Sequence, residues 1–345
     1  MNSDSSLAST GKAIAAGSLF LGLGLGLIAG GLTYLFQRRL HKKLRPTDAV
    51  GATDAVGTAG AGAAGAIIAK PRGGLGLPFM IFMIKFFGRR SAYFFLYFIV
   101  PYFYLLAPKA RRAANEYWKV TQPNLSWISR QGRVLKQIFR FAELLIDRFY
   151  YQSRGSRNLP MTIDTSEYVP PPEGKGIFFV NSHVGGWSMS SYAFAKLNPT
   201  KKPLVVMYVS PGFRYENALY LSETENPLAV IQQNLLAGQP VCIMTDRPIG
   251  RSYELVPFFG KLALFDTTSF RLHRLLKVPV AAAFCFKASD KYKVTIKNIL
   301  PTNQSGAEPT FFMLHCYAVE LEAQLKKYPE QWFNFFPFWS QPPQV

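Results

Sequence analysis

The 345-residue chain has few acidic residues. Its 20 Asp and Glu are outnumbered by 39 Lys and Arg, which leaves a formal net charge of +19 and excludes an acidic solubilising protein. Charged residues of either sign make up only 17 % of the chain, against about 25 % in an average protein. Because 49 % of the residues are hydrophobic, a disordered chain is excluded as well.

Cysteine is also scarce, and cofactor motifs are missing. The three cysteines (Cys242, Cys285 and Cys316) are far apart and form no Cys-x-x-Cys pair, which argues against a disulfide framework and a zinc site. We expect them to be buried free thiols in a reducing compartment. The sequence also lacks a Walker loop and a dinucleotide fingerprint. We therefore expect no metal and no redox cofactor.

Acidic residues are absent altogether between Asp54 and Glu116. The eight basic residues of this interval are interleaved with the most apolar sequence of the chain, a combination that favours an anionic membrane surface. We therefore expect the partner to be membrane lipid and not nucleic acid. Nucleic acid is the less favoured alternative.

The N-terminal region, residues 1–45, has the composition of a membrane anchor. Residues 13–36 are uncharged and numerous enough to cross a bilayer of about 30 Å as a helix. Five basic residues follow within 38–45, so the positive-inside rule places the rest of the chain in the cytoplasm, at the inner membrane. Gly22, Gly26 and Gly30 form a small-residue face on which two copies could dimerise; a merely glycine-rich anchor is the alternative.

Three further regions follow the anchor. Residues 46–77 are rich in Gly and Ala and indicate a flexible linker. Residues 78–115 contain twelve aromatic residues and favour membrane-associated helices lying in the interface, although a helical hairpin buried against the following domain fits the same pattern. Residues 116–345 have the composition of an α/β domain.

Within that domain, short apolar runs alternate with helical patterns. This alternation predicts an α/β fold with a mostly parallel central sheet flanked by helices. Amphipathic spacing predicts helices over 112–120 and 132–151. The predicted strands are 176–180, 204–209, 241–245, 280–286 and 292–299, and further helices are predicted over 187–196, 228–236, 268–276 and 309–327.

Two turns carry the polar residues that could perform chemistry. His183 follows the strand predicted over 176–180, and Gly185 and Gly186 come next. Ligands of open α/β sheets bind outside the carboxyl ends of the strands, and the glycines could leave N–H groups free for an oxyanion or a phosphate. Asp246 and Arg247 follow the strand predicted over 241–245 in the same way.

The order of these motifs resembles the lipid A biosynthesis (lauroyl/myristoyl) acyltransferase family, in particular its predicted-acyltransferase branch within the lysophospholipid acyltransferase-like superfamily. The His turn, the Asp-Arg turn and a Pro-Phe-Phe-Gly sequence ending at Gly260 occur in that family's order. An aromatic entrance precedes them, and the resemblance covers about residues 78–340. Further matches are Ala-Arg-Arg-Ala at 110–113, the segment 141–148 that begins with Phe-Ala and ends with Asp-Arg, and the aromatic ending at 328–336.

The resemblance implies a glycerolipid acyltransferase-like fold and a specific reaction. A fatty acyl group would pass from an acyl carrier protein or coenzyme A thioester to a hydroxyl of a lipid or lipid A-like glycolipid, at the cytoplasmic membrane face. His183 matches the general base. The residues implied to lie near the substrate are Gly185, Gly186, Trp187, Arg247, Phe259 and Gly260.

The chain departs from the family pattern at one catalytic position. Members carry Asp or Glu five positions after the histidine, where this chain has Ser188. Three interpretations follow. Another carboxylate (Asp246, Glu173 or Asp266) orients the ring; or Ser188 does so as a neutral and weaker partner; or the chain is a non-catalytic pseudoenzyme or scaffold that binds acyl lipid.

Overall fold

In the described part of the chain, three helices precede the sheet. A computed structural model describes residues 76–154, 160–197, 201–207, 217–247, 252–299 and 309–339. The helices are α1 (Gly76–Leu106), α2 (Pro108–Thr121) and α3 (Trp127–Arg154). Helix α1 is kinked at Gly88, where φ is 77°, and contains Pro101. The twelve aromatic residues noted in the sequence all lie in this one long helix.

Helix α1 buries one set of side chains and exposes another. Ile84, Leu96 and Val100 form a small core with Ile146 of α3. By contrast, eight aromatic side chains of α1 are between 48 % and 67 % exposed. Among the described helices, none is by itself long and apolar enough to cross a membrane. Two consecutive segments that meet at a bend of 93° have the required length and composition only when taken together: Phe82–Leu106 and Pro108–Thr121.

The predicted α/β architecture is confirmed. Seven strands form a sheet in the order β1-β9-β8-β2-β5-β3-β4, parallel except where β9 runs antiparallel to β8. The central strands are buried on both faces, which explains their continuous apolar sequences. The strands are β1 (Met161–Glu167), β2 (Ile177–Asn181), β3 (Leu204–Met207), β4 (Ala218–Tyr220), β5 (Pro240–Met244), β8 (Val280–Ala288) and β9 (Lys291–Asn298).

Helices cover this sheet, and a separate hairpin packs beside them. The hairpin strands β6 (Tyr253–Phe258) and β7 (Lys261–Asp266) turn through Phe259 and Gly260, both at positive φ. The helices are α4 (Ser190–Leu197), α5 (Pro227–Leu236), α6 (Thr268–Leu276) and α7 (Thr310–Lys327).

One pairing positions the site. Strands β2 and β5 are parallel neighbours, with Asn181 opposite Met244 at their last residues. The chain segments that follow these two residues therefore leave the sheet at the same edge, side by side. The two turns that the sequence predicted separately consequently meet.

A buried charged cluster joins α1, α3 and the β8–β9 hairpin. The fully buried Asp147 of α3 pairs with Lys287 at 2.8 Å and accepts a 2.5 Å hydrogen bond from the Tyr292 hydroxyl. Tyr93 of α1 donates a second hydroxyl to the same carboxylate. Arg89 of α1 lies 3.5 Å from the same carboxylate, so two cations compensate the charge of Asp147 and two hydroxyls donate to it, as a buried carboxylate requires.

Several sequence predictions fall outside the described residues. They include the membrane span over 13–36, the dimerising Gly22, Gly26 and Gly30 face, and most of the linker over 46–77. Cys242 and Cys285 are buried free thiols, as expected, whereas Cys316 is only partly buried.

Candidate active site

His183 and Asp246 form a hydrogen-bonded pair at the carboxyl edge of the sheet. His183 lies just beyond β2 and Asp246 just beyond β5. The ring Nδ1 of His183 lies 2.8 Å from Oδ1 of Asp246, and the backbone N–H of His183 donates to Oδ2 at 2.9 Å. One carboxylate therefore fixes both the ring and the backbone of the histidine.

Burial and charge give the two members different properties. The side chain of Asp246 is fully buried, whereas that of His183 is 23 % exposed, so a reactant can reach the ring. Burial and the charge of Arg247 lower the pKa of His183, against the opposing influence of Asp246. Burial alone would raise the pKa of Asp246, but the contacts with His183 and the charge of Arg247 outweigh it and lower that pKa.

These shifts define the protonation states of the pair near neutral pH. An ionised Asp246 only accepts hydrogen bonds, so Nδ1 of the neutral ring carries the proton. The lone pair of Nε2 is then free to accept a proton from a reactant. The pair has the arrangement of a general base with its orienting carboxylate.

The chain's ending completes the support of Asp246. The Trp332 indole donates to Oδ2 at 3.1 Å, so this carboxylate has three donors. Asn334 accepts a 3.0 Å bond from Nε of Arg247, and the Arg247 guanidinium lies 4.7 Å above the Phe336 ring. The aromatic ending at 328–336 is evident in the sequence, but its contacts with Asp246 and Arg247 were not predicted.

The proposed oxyanion donors Gly185 and Gly186 need correction. The Gly185 N–H donates to the carbonyl of Gln331 and the Gly186 N–H to that of Cys285, both at 2.7 Å. Neither N–H is therefore free to hold an oxyanion. Glycine is needed at 185 for packing, because φ is +47° and a Cβ atom would overlap the Cys285 carbonyl oxygen.

The remaining predicted residues lie in two places, the short helix after the glycine turn and the β6–β7 turn. The Trp187 ring lies edge-on to the His183 ring, with centroids 6.3 Å apart. Ser188 lies in a short 3-10 helix, Trp187–Met189, and lines a small cavity with Asn181 and Cys242. Phe259 and Gly260 form the β6–β7 turn, where the Phe259 ring packs against Tyr117.

The two alternative carboxylates lie elsewhere. Glu173 is exposed in the connection between β1 and β2, and Asp266 accepts the backbone N–H of Thr268 at 2.9 Å at the start of α6. Of the three candidates, Asp246 is the carboxylate hydrogen-bonded to the His183 ring. Among the described residues, no group of three or more His, Cys, Asp or Glu side chains could hold a metal ion.

Comparison with known proteins agrees with this site. No curated protein sequence matches the chain significantly. The model of the bacterial lipid A biosynthesis acyltransferase family matches residues 162–341, slightly more than half of the chain, and this segment contains both members of the pair. The chain belongs to the bacterial lipid A biosynthesis acyltransferase family.

Proposed function

We propose that the protein transfers a fatty acyl group from a thioester, carried by acyl carrier protein or coenzyme A, to a hydroxyl of a lipid or lipid A-like glycolipid. The observation that carries this proposal is the 2.8 Å bond between His183 and Asp246. It supplies the orienting carboxylate that Ser188 does not supply. The family membership supports the acyl-transfer chemistry.

The proposed reaction begins at Nε2 of His183. This nitrogen takes the proton of the acceptor hydroxyl while the hydroxyl oxygen bonds to the thioester carbonyl carbon. The carbonyl oxygen gains negative charge in the tetrahedral intermediate, and Arg247 is the nearby cation that would stabilise it. Cleavage of the carbon–sulfur bond then releases the thiolate, which takes the proton back from His183.

Asp246 stays ionised throughout this sequence. Its contribution is to hold the ring in one tautomer and to stabilise the imidazolium that forms after proton transfer. Because Trp332 and the His183 backbone also donate to it, the carboxylate cannot rotate freely, so the ring keeps its orientation between steps.

We further propose that the reaction takes place at the cytoplasmic face of the inner membrane. The exposed aromatic side chains of α1 support this location, since Phe86, Phe94, Tyr97 and Tyr102 are each 59 % or more exposed. The exposed Lys85 and Arg90 on the same helix could reach lipid phosphates.

A test of the function replaces the proposed base. With the full-length protein, acyl-coenzyme A or acyl carrier protein as donor and a lipid hydroxyl as acceptor, His183→Gln should lower the transfer rate by about 10²- to 10⁴-fold. His315→Gln is the matched control, because His315 lies in α7, where it stacks on Phe311. Transfer that survives His183→Gln unchanged would refute the proposed base.

The serine at position 188 favours a second candidate, a non-catalytic protein that binds acyl lipid. That protein would co-purify with lipid and show no turnover with either thioester donor. Under the same interpretation, Ser188→Glu would create measurable transfer. With Asp246 as the orienting carboxylate, Ser188→Glu should leave transfer unchanged or lower it.

A further inference from the structure

A second cavity lies beside helix α6, and its lining includes neither His183 nor Asp246. Its volume is about 640 Å³, and Arg271, Arg274 and Lys277 line it together with Thr267 and Thr310. We refer to it as the cationic groove. Its size is in the range of small-molecule sites, but its lining is mostly polar, which suits an ionic group better than an acyl chain.

Among the described residues, the cations that line the groove outnumber its acids. Within the described part of the chain, none of the three forms an ion pair, and Glu254 is the one acid that lines the cavity. The charges of Lys277 and Arg274 are felt locally, since they add to burial in lowering the pKa of His273. The groove therefore carries an uncompensated positive charge.

The helix dipole explains only part of this arrangement. Lys277 directly follows α6 and Arg274 lies in its last turn, where a cation is favoured. Arg271 is the fourth residue of the helix, near the end where the dipole disfavours a cation. Because Arg271 and Arg274 are three residues apart, their side chains leave the same face of α6 and can bind one anion together.

The groove begins close to the catalytic pair. Thr267, at its edge, donates its N–H to the Ser252 carbonyl at 2.9 Å, and the preceding residue, Asp266, donates to the Thr245 carbonyl at the same distance. Thr245 is the neighbour of Asp246. A molecule that extends from the cations to Thr267 would thus reach the turn that positions the catalytic carboxylate.

We infer that the cationic groove binds a phosphate group of a reactant. Arginine forks match phosphate oxygens in bidentate fashion, and the Thr267 and Thr310 hydroxyls add possible donors. The inference rests on the proposed function, in which a donor arm and a lipid headgroup are the two sources of phosphate. Binding there would fix one reactant while its reactive end reaches His183.

Binding measurements on the full-length protein test the inference and separate the two sources. Calorimetry measures the binding of coenzyme A in solution. Sedimentation measures binding of the protein to phosphatidylcholine vesicles with and without phosphatidic acid. The groove variant is Arg271→Gln with Arg274→Gln. The control, Lys175→Gln with Lys327→Gln, loses the same charge at exposed sites that do not line the groove: Lys175 precedes β2, and Lys327 is the last residue of α7.

The groove variant should bind one of the two probes about tenfold more weakly than the control variant, the loss expected when charge-assisted hydrogen bonds are removed. A loss confined to coenzyme A identifies the donor as the source, and a loss confined to phosphatidic acid vesicles identifies the lipid. Equal binding by both variants, or no binding of either probe by the wild type, overturns the inference. His183→Gln should bind both probes as the wild type does. A wild-type protein that binds a probe through the groove but shows no transfer would refute the proposed function and leave this inference standing.

Discussion

Replacing Trp332 by Phe isolates the hydrogen bond that the indole donates to Asp246. The bond spans 3.1 Å between two buried side chains, and a hydrogen bond to a charged group contributes about 1.5–3 kcal/mol. The smaller ring also leaves a partly filled space, which costs about 1 kcal/mol more. We expect the free energy of unfolding, measured by urea titration, to fall by about 2–4 kcal/mol.

Trp339→Phe is a matched control in the same aromatic cluster. The Trp339 indole donates to the Phe258 carbonyl at 3.3 Å and its ring lies 5.7 Å from that of Trp332. A neutral acceptor makes this bond worth only about 0.5–1.5 kcal/mol. Trp339→Phe should therefore destabilise the protein less than Trp332→Phe.

The titration of His183 distinguishes a positioning role for Trp332 from simple packing. Without the indole donor, the Asp246 carboxylate becomes a stronger acceptor toward the ring, so the imidazolium is favoured and the pKa of His183 should rise. Proton NMR of the ring measures this shift, and Trp339→Phe should leave it unchanged. Equal losses of stability in both variants, with no change in the titration of His183, would refute the role assigned to Trp332.

Other predictions test the turn, the buried cluster and the base. Gly185→Ala should lower the free energy of unfolding by more than about 3 kcal/mol, because of its positive φ and the overlap with Cys285, as a urea titration will show. Lys287→Met should lower the free energy of unfolding by about 1.5–3 kcal/mol, because Asp147 loses its ammonium partner but keeps Arg89 at 3.5 Å, whereas Lys291→Met at an exposed position should change it by less than about 0.5 kcal/mol. Since the pKa of His183 is lowered from 6.5, the acidic limb of the pH–rate profile should have its midpoint below pH 6.5; a midpoint above that value would contradict the burial of the ring.

The layers of the fold could be predicted from local sequence because the central strands are continuous apolar runs. The predicted strand over 241–245 differs from the observed Pro240–Met244 by one residue at each end. Strands β1 and β4 were missed because neither has such a run: β1 alternates polar residues with partly buried ones, and β4 has three residues. The β6–β7 hairpin was treated as loop motifs, since its Pro257 and Gly260 indicate turns.

The site was predictable residue by residue but not as an arrangement. His183 and Asp246 were each identified as chemical groups, yet 63 positions separate them, and only the pairing of β2 with β5 brings them together. The sequence offered three carboxylates in place of Ser188 and no means of choosing among them. The support from Trp332 was missed because a tryptophan in an aromatic stretch resembles core, and its indole donor is assigned only by tertiary contacts.

For the turn at Gly185 and Gly186, the sequence prediction was wrong because local sequence does not reveal distant hydrogen-bond partners. Two adjacent glycines after a histidine are equally compatible with an oxyanion site and with a tightly packed turn. The choice depends on Gln331 and Cys285, whose carbonyls take up both N–H groups. These partners lie about 100 residues or more further along the chain, so no local pattern predicts them.

In the proposed mechanism, Asp246, and not the residue at position 188, orients the catalytic histidine. The most direct measurement compares the single-turnover rates of acyl transfer for Asp246→Asn and Ser188→Ala. The amide keeps the shape of Asp246 but removes its charge, so Asp246→Asn should slow transfer by about 10⁴-fold, as in triads that lose their carboxylate, while Ser188→Ala stays near the wild-type rate. Rapid transfer by Asp246→Asn together with loss of transfer in Ser188→Ala would contradict the account.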